Sequence, residues 1–197
     1  QLRHILMPLG DYTKVQTRAI ADRLGLDVAN KPDSQEICFV EDNDYGRFLM
    51  DRRGSDIKSG NFVDVYGNII GKHKGIVHYT IGQRKGLGIA MGKPMFVVAI
   101  IPDKNIVVLG DENQVFKKEL IAENLNFIPF DRLDKPIKVK AKIRYSAKEA
   151  DAIVTPIENN KVRVSFEKPQ RAITPGQVVV FYQGDIVVGG GVIIFSL

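Results

Sequence analysis

Residues 136–145, PIKVKAKIRY, alternate strictly between apolar and basic side chains. Successive side chains of a β-strand point to opposite faces, so this segment predicts a strand with one apolar and one basic face. The basic face holds Lys138, Lys140, Lys142 and Arg144. Residues 161–166, KVRVSF, repeat the alternation. We therefore expect a sheet that is buried on one side and positively charged on the other.

Short strands separated by turn signals follow one another from about residue 60 onwards. A first group covers residues 61–65, 68–70, 95–101 and 106–109. A second group covers residues 136–145, 150–157, 161–166, 177–182 and 186–195. This spacing predicts a small antiparallel barrel. Three glycines at 189–191, inside the last apolar strand, indicate a bulge or a barrel corner.

The first 53 residues have a different character. Residues 2–7 predict a strand, with His4 as a core residue. A helix is expected over 12–24, capped by Asp11 or Thr13 and ended at Gly25, and a short helix over 44–53. The predicted fold class is mostly β, with a short α/β segment at the N-terminus, a small central domain and a C-terminal antiparallel β-barrel.

Composition excludes several classes of protein. Hydrophobic residues make up 44% of the 197 positions, enough for a buried core, but no apolar run approaches the roughly 20 residues of a membrane span. We expect no membrane partner. Cys38 is the single cysteine, which excludes an internal disulfide framework and fits the reducing cytoplasm. No metal site is expected, because His73 and His78 have no carboxylate pair or second cysteine near them in the sequence.

The positive charge is concentrated in one segment. Residues 136–171 contain nine Lys or Arg and four Asp or Glu, which accounts for the net charge of +5. Such a patch favours a polyanionic partner, most often nucleic acid. Two alternatives are a solvated surface and lysines that protect an edge strand from aggregation. Arg144 followed by Tyr145 favours nucleic acid, since arginine grips phosphate while an aromatic ring stacks on a base.

Two further segments are candidates for chemistry. In residues 79–88, YTIGQRKGLG, glycines bracket Gln83, Arg84 and Lys85, which could bind RNA or form an ordinary basic loop. The segment does not match a Walker loop. Cys38, in SQEICFV, is either a small buried hydrophobe or a reactive thiol near the start of a helical turn. The spacing of residues around Cys38 favours neither interpretation over the other.

The chain resembles the tRNA-specific 2-thiouridylases. The matching stretches run in family order and cover nearly the whole chain: MPLGDYTKVQTRAIADRLGL (7–26), KPDSQEICFV (31–40), HKGIVHYTIGQRKGLGI (73–89), KIRYS (142–146) and PQRAITPGQVVVFYQGDIVVGGGVI (169–193). The resemblance implies a remnant of a PP-loop adenylation domain with the catalytic cysteine loop over 1–42. It also implies a central tRNA-binding domain over 43–108 and a β-barrel over 109–197.

The resemblance also implies roles for particular residues. Cys38 would carry sulfur as a persulfide, supplied by a cysteine desulfurase or a sulfur-carrier protein. Arg144, Tyr145 and Gln177 would contact tRNA. In such an enzyme ATP, with Mg²⁺, activates the C2 oxygen of the wobble uridine. No SGGxDSS phosphate loop occurs in this sequence, so we expect no ATP or Mg²⁺ bound to this chain, which we take as a fragment.

Two alternatives for the function stay open from sequence. The chain could be a non-enzymatic RNA-binding module with a structural cysteine, or a thiol-based redox sensor.

At the level of single residues, Tyr145 ends the basic strand and Gln177 follows the turn Thr174-Pro175-Gly176. A strand end and a turn can meet at one rim of a barrel, where both side chains would face RNA. Alternatively, Tyr145 plugs the end of the barrel and Gln177 only caps the turn.

Overall fold

The computed structural model of the chain describes residues 4–31, 40, 45–53 and 57–196. The chain divides into two compact units, residues 1–48 and 49–197. Two α-helices are present in the described ranges: α1 spans Lys14–Arg23 and α2 spans Tyr45–Arg53. No helix within these ranges has the length and apolar character of a membrane span.

Helix α1 is slightly shorter than the predicted 12–24, but its caps are among those predicted. Thr13 is the N-cap, and its backbone N–H donates to Gln16 Oε1 at 2.8 Å while its hydroxyl accepts from the Gln16 N–H at 3.4 Å. This reciprocal pair is a capping box. At the other end Gly25 has φ +68°, and the N–H of Leu26 donates to the carbonyl of Ala21. A glycine in this position satisfies the last carbonyls of a helix.

The strand predicted over residues 2–7 is wrong over its described part. Residues 5–7 belong to no strand, and Leu6 is 91% exposed. His4 is exposed as well, so it is not a core residue. A run of apolar residues forms a strand only when a neighbouring strand satisfies its backbone groups. No strand pairs with residues 4–7 in the described part of the chain.

Four strands form the first sheet: β1 (Gly60–Val63), β2 (Ile69–His73), β3 (Phe96–Ile101) and β4 (Ile106–Gly110). Their order is β2-β1-β4-β3. β1 pairs with β2 and β3 pairs with β4 as antiparallel hairpins, and the two hairpins are joined by a parallel β1–β4 pair. One face of the sheet covers a core that includes Phe62, Val97, Val107 and Leu109, all fully buried.

The remaining six strands close into an antiparallel barrel, which confirms the predicted architecture. They are β5 (Phe116–Phe127), β6 (Ile137–Lys142), β7 (Ala150–Ile157), β8 (Lys161–Arg171), β9 (Val178–Gln183) and β10 (Ile186–Ser196). The strands follow one another around the barrel as β10-β5-β8-β7-β6-β9. The apolar face of β6 lies in the core, where Val139, Ala141 and Ile143 are at most 6% exposed.

Strand β5 was not predicted. Its sequence, FKKELIAENLNF, is rich in lysine, glutamate, leucine and alanine, which favour helices over strands. Long antiparallel ladders with β8 and β10 hold it in the extended form. Tertiary pairing therefore overrides local propensity in the longest strand of the barrel.

The three glycines of β10 form the predicted bulge. The register of β10 shifts between Val187 and Gly189 against β9, and between Gly190 and Val192 against β5. A Cβ atom on Gly190 would lie 2.6 Å from the carbonyl oxygen of Val179, closer than side chains allow. Only glycine permits the neighbouring strands to approach this closely, and the bulges bend β10 so that the barrel can close.

His73 is a structural residue of the first sheet. It is 2% exposed, and its ring lies edge-on to Phe62 with centroids 5.4 Å apart. Its Nδ1 accepts from the N–H of Gly75 at 3.1 Å, and its Nε2 lies 3.2 Å from the carbonyl oxygen of Asn105. These partners require a neutral ring with its proton on Nε2. Burial lowers the pKa of His73 below its ordinary value of 6.5, against a weaker opposite effect of the Asn105 carbonyl.

Neutral His73 should make stability depend on pH. Above pH 6.5 the ring is neutral in both folded and unfolded chains, so its stabilising contribution is complete. As the pH falls below that value, the unfolded chain gains a proton first and folding becomes less favourable. The loss is at most about 1.4 kcal/mol per pH unit for one group. It ends once the pH has passed below the lowered pKa of the folded state.

Denaturant unfolding at several pH values from about 7.5 to about 5 measures how the free energy of unfolding changes. This range spans the ordinary pKa of histidine. His73→Gln keeps a donor and an acceptor but does not titrate, so it should remove part of the pH dependence. An unchanged pH dependence in His73→Gln would contradict the assignment.

Candidate RNA interface at one end of the barrel

Antiparallel pairing brings the end of β6 to the beginning of β9. Lys142, the last residue of β6, lies opposite Val180 of β9. The residues that follow β6 therefore lie beside the turn that precedes β9, where the Gln177 N–H donates to the Thr174 carbonyl at 3.2 Å. This turn is also held to β10, because Gly176 N–H donates to the Ile193 carbonyl at 2.8 Å.

A cavity of about 470 Å³ opens at this end of the barrel. Lys142, Arg144 and Tyr145 line it from the β6 side, and Gln177 lines it from the turn. Val178, Val180 and Tyr182 of β9 complete much of the wall. The structure thus brings Tyr145 and Gln177, 32 positions apart in sequence, to one cavity; we call Lys142, Arg144, Tyr145 and Gln177 the rim site.

Tyr145 stands almost entirely in solvent. It is 97% exposed, so it does not plug the end of the barrel. The ammonium nitrogen of Lys142 lies 5.6 Å from the centre of the Tyr145 ring, within the range of a cation–π contact. A flat aromatic face beside a cation offers stacking to a base and attraction to a phosphate in the same place.

Arg144 is held by the protein backbone rather than by an acid. Its Nη2 donates to the carbonyl oxygen of Arg171 at 2.6 Å, and the side chain is half-buried. A carbonyl orients a guanidinium without cancelling its charge. Neither Arg144 nor Lys142 forms an ion pair with a carboxylate in the parts of the chain that the structure describes. Among the described residues, the rim site therefore has two positive charges that no carboxylate pairs with.

The other lysines of β6 differ in their surroundings. Lys140 pairs with Asp151 across the β6–β7 ladder, with Nζ 3.1 Å from Oδ1. Lys138 is exposed and lines a different cavity, together with Asp151. Because β6 pairs with both β7 and β9, it is not an edge strand, and its lysines do not serve as edge protection. Contact of Lys138 and Lys140 with RNA stays a prediction, and for Lys140 a phosphate would compete with Asp151.

The loop over 79–88, which we call the basic loop, is shaped by Gln83. The Gln83 amide oxygen accepts from the Thr80 N–H at 2.9 Å, and its nitrogen donates to the Lys85 carbonyl at 3.0 Å. Gln83 thus helps to fold the loop, while Arg84 and Lys85 are exposed to solvent. Two backbone hydrogen bonds between residues 82–83 and Val97 tie the loop to β3. RNA contact by these three residues remains a prediction.

The opposite end of the barrel has another cavity, of about 340 Å³. Its wall includes Asp131, Arg132, Glu158 and Lys161. The two basic residues are paired there: Arg132 with Asp134 at 3.0 Å, and Lys161 with Glu123 at 3.3 Å. The basic residues of this second cavity are thus paired with acids, whereas Lys142 and Arg144 of the rim site have no such partner among the described residues.

Two residues stand apart from the site residues predicted from sequence and described above. Cys38 lies outside the described residues. Arg171 was missed by sequence reasoning, although it lies in the stretch PQRAITPGQ and contacts Arg144 directly. An arginine at the end of a strand gives no sign of what its backbone carbonyl holds, so only the fold shows its place.

Comparison with known proteins follows the same order along the chain. Residues 1–42 match the tRNA methyl transferase HUP domain, residues 46–111 the tRNA methyl transferase PRC-barrel domain and residues 117–193 the Aminomethyltransferase beta-barrel domain. The three matches are consecutive and leave few residues unmatched.

Close relatives share one name. The chain is 67% identical over 193 residues to the tRNA-specific 2-thiouridylase MnmA of Acetivibrio thermocellus, which covers 98% of the chain and 54% of that protein. It is 61% identical to tRNA-specific 2-thiouridylase MnmA 1 of Thermoanaerobacter pseudethanolicus, with 98% of the chain and 53% of that protein covered. For MnmA of Clostridium perfringens the identity is 57%, with 98% and 54% covered.

The chain spans about half the length of the curated relatives that it matches. Within that half, the order of the domain matches, the high identity and the six-stranded barrel agree. The chain therefore belongs to the tRNA-specific 2-thiouridylase family.

Proposed function

We propose that this chain is the tRNA-binding and sulfur-carrying part of an enzyme that replaces the C2 oxygen of the wobble uridine with sulfur. The observation that carries the proposal is the rim site, where a fully exposed aromatic ring stands beside two uncompensated cations and an exposed amide. The relatives' name, tRNA-specific 2-thiouridylase, supplies the class of substrate and reaction.

The rim site offers the contacts that RNA requires. Lys142 and Arg144 attract phosphates, and their contribution should weaken as salt rises. Tyr145 provides a face on which an unstacked base can lie. Gln177 presents an amide that both donates and accepts hydrogen bonds. Single-stranded or bent regions of a tRNA suit such a site better than the closed grooves of a regular RNA helix.

Cys38 is proposed to carry the sulfur. A persulfide on Cys38 has an outer sulfur that attacks C2 of the uridine, once the C2 oxygen has been activated as an adenylate; AMP leaves with that oxygen. A second thiolate then attacks Sγ of Cys38, which breaks the S–S bond and leaves the outer sulfur on C2. The transferred sulfur gains two electrons and the two cysteines form a disulfide. Since Cys38 is the single cysteine here, that second thiol belongs to sequence outside these 197 residues.

Activation by ATP and Mg²⁺ is assigned to the part of the enzyme outside this chain. The 197 residues contain no SGGxDSS loop, and the chain spans about half of its relatives. The persulfide would come from a cysteine desulfurase or a sulfur-carrier protein. This division leaves RNA recognition and sulfur delivery to the residues present here.

The first prediction of the proposed function concerns Tyr145. Tyr145→Ala should weaken binding of an unmodified tRNA transcript by roughly 1–3 kcal/mol, the usual value of one stacked base. Gln177→Ala should weaken binding as well. The melting temperature of both variants should stay near that of the parent, because both side chains are exposed. Filter binding or fluorescence anisotropy, together with a thermal melt, measures both quantities.

Tyr66→Ala is the matched control, since Tyr66 is 88% exposed in the turn between β1 and β2. It should bind tRNA like the parent chain. The assignment fails if Tyr145→Ala keeps its affinity for tRNA, or if it lowers the melting temperature sharply and binds normally per folded molecule.

The second prediction concerns Cys38. In the full-length enzyme, Cys38→Ser should abolish formation of thiouridine from a persulfide donor while tRNA binding stays unchanged. Thiouridine is scored in the tRNA after digestion, and tRNA affinity is measured on the same preparation. Substantial thiolation by Cys38→Ser would show that the sulfur travels another way, and the chain would then be an RNA-binding module with a non-catalytic cysteine.

A further inference from the structure

Arg171, the last residue of β8, contacts the rim site and the basic loop at the same time. Its carbonyl oxygen accepts the 2.6 Å hydrogen bond from Arg144. Its own Nη2 donates to the carbonyl oxygen of Gly82 at 3.1 Å. The guanidinium carbon lies 5.8 Å from the centre of the Phe96 ring, so a cation–π contact fixes the side chain from a third direction. One residue thus joins the barrel to the loop that carries Arg84 and Lys85.

The basic loop packs closely at this junction. A Cβ atom on Gly82 would lie 2.8 Å from the Cβ of Ala172 and 3.2 Å from Nη1 of Arg171. Gly82 also has φ +87°, a conformation that other residues rarely adopt. Position 82 therefore requires glycine, both because a Cβ atom would be too close to its neighbours and because φ is positive. The absence of a side chain lets the loop backbone come within hydrogen-bond distance of Arg171.

The junction has a small apolar core of its own. Phe96 from β3, Val115 from the segment before β5, and Ala172 form a buried cluster, with Ile81 packed against it. Ala172 has φ +56°, in the left-handed region, and its N–H donates to the Val115 carbonyl at 2.9 Å. This conformation is unfavourable for a residue with a side chain, so the surrounding contacts must hold it. It turns the chain sharply after Arg171, toward the turn that presents Gln177.

Both arginines at the junction are held by backbone carbonyl groups. Arg144 and Arg171 are adjacent, and within the described ranges both donate to backbone carbonyls and neither pairs with a carboxylate. An apolar side chain at position 171 could pack against Phe96, but it could not donate the hydrogen bond to the Gly82 carbonyl that ties the loop to the barrel. The positive charges of Arg144 and Arg171 favour binding of a polyanion that lies over both the rim site and the basic loop.

We propose that Arg171 is a positioning residue that holds the rim site and the basic loop in one arrangement, so that both bind the same RNA. The inference rests on the proposed function, since it takes the RNA to be tRNA. Beyond the proposed function, it states that the basic loop contributes to the affinity for RNA only while Arg171 holds the loop. When two binding elements are held rigidly, the second binds at a high effective concentration, and a loose connection removes that gain.

The test is a double-mutant cycle on the binding of an unmodified tRNA transcript to the chain. Replacing both Arg84 and Lys85 with alanine should weaken binding by about tenfold in the parent, the size expected for two lost phosphate contacts. In the Arg171→Met background the same replacement should cost less than about twofold, because the loop is already displaced. A general loss of stability in Arg171→Met would lower both affinities alike and leave the full effect of the loop replacement.

Two further variants separate charge from position. Lys168→Met removes the same charge from an exposed position of β8, and the loop replacement should keep its full effect there. Arg171→Lys keeps the charge but lacks the planar fork, so it should behave like Arg171→Met if position matters. It also serves as the test variant if Arg171→Met does not fold.

The outcomes are distinct. Loss of coupling in Arg171→Met and Arg171→Lys, but not in Lys168→Met, supports the proposal. An undiminished effect of the loop replacement in both Arg171 variants overturns it, as does a loop replacement that has no effect in the parent. If the parent chain does not bind tRNA, or if Tyr145→Ala and Arg144→Ala bind as tightly as the parent, it is the proposed function that fails.

Discussion

The pairing of β6 on both of its edges is the constraint on which the rim site depends. β7 lies on one side of β6 and β9 on the other, so the strand has no free edge. One face must then lie in the barrel core and the other in solvent. Closure also fixes which chain ends meet, since the residues after β6 arrive beside the turn before β9. Tyr145 and Gln177 face one cavity for this reason.

Closure itself depends on the glycines of β10. The ladder to β9 and the ladder to β5 both shift register near Gly189 and Gly190, and side chains at these positions would strike the neighbouring backbone. β10 thereby pairs with both β9 and β5, which closes the barrel. The glycines are not part of the rim site, but they shape the barrel that forms it. Bulges often have this relation to a binding site.

Much of the fold could be predicted from sequence because its strands alternate. The period of two in residues 136–145 predicted both the buried and the basic face of β6, and capping residues predicted the limits of α1. Prediction failed where tertiary pairing decided the outcome. β5 has helix-favouring residues, and residues 4–7 pair with no strand among the residues that the structure describes.

The candidate site was predictable in part, for a related reason. Lys142, Arg144 and Tyr145 are adjacent in one alternating segment, so their grouping is visible in the sequence. Sequence could not show whether Tyr145 plugs the barrel or faces solvent, because both are compatible with a strand end; its 97% exposure decides this. Nor could it show that Lys140 is paired with Asp151, or that Arg171 supports Arg144 through a backbone carbonyl.

Hydrogen–deuterium exchange of the chain, with and without a tRNA transcript, tests most directly where RNA lies. Backbone amides in peptides that cover residues 142–149 and 174–178 should exchange more slowly when tRNA is bound. Those around the opposite cavity, residues 156–162, should not change, because the cations there are already paired. Protection of residues 156–162 without protection at the rim site would contradict this account.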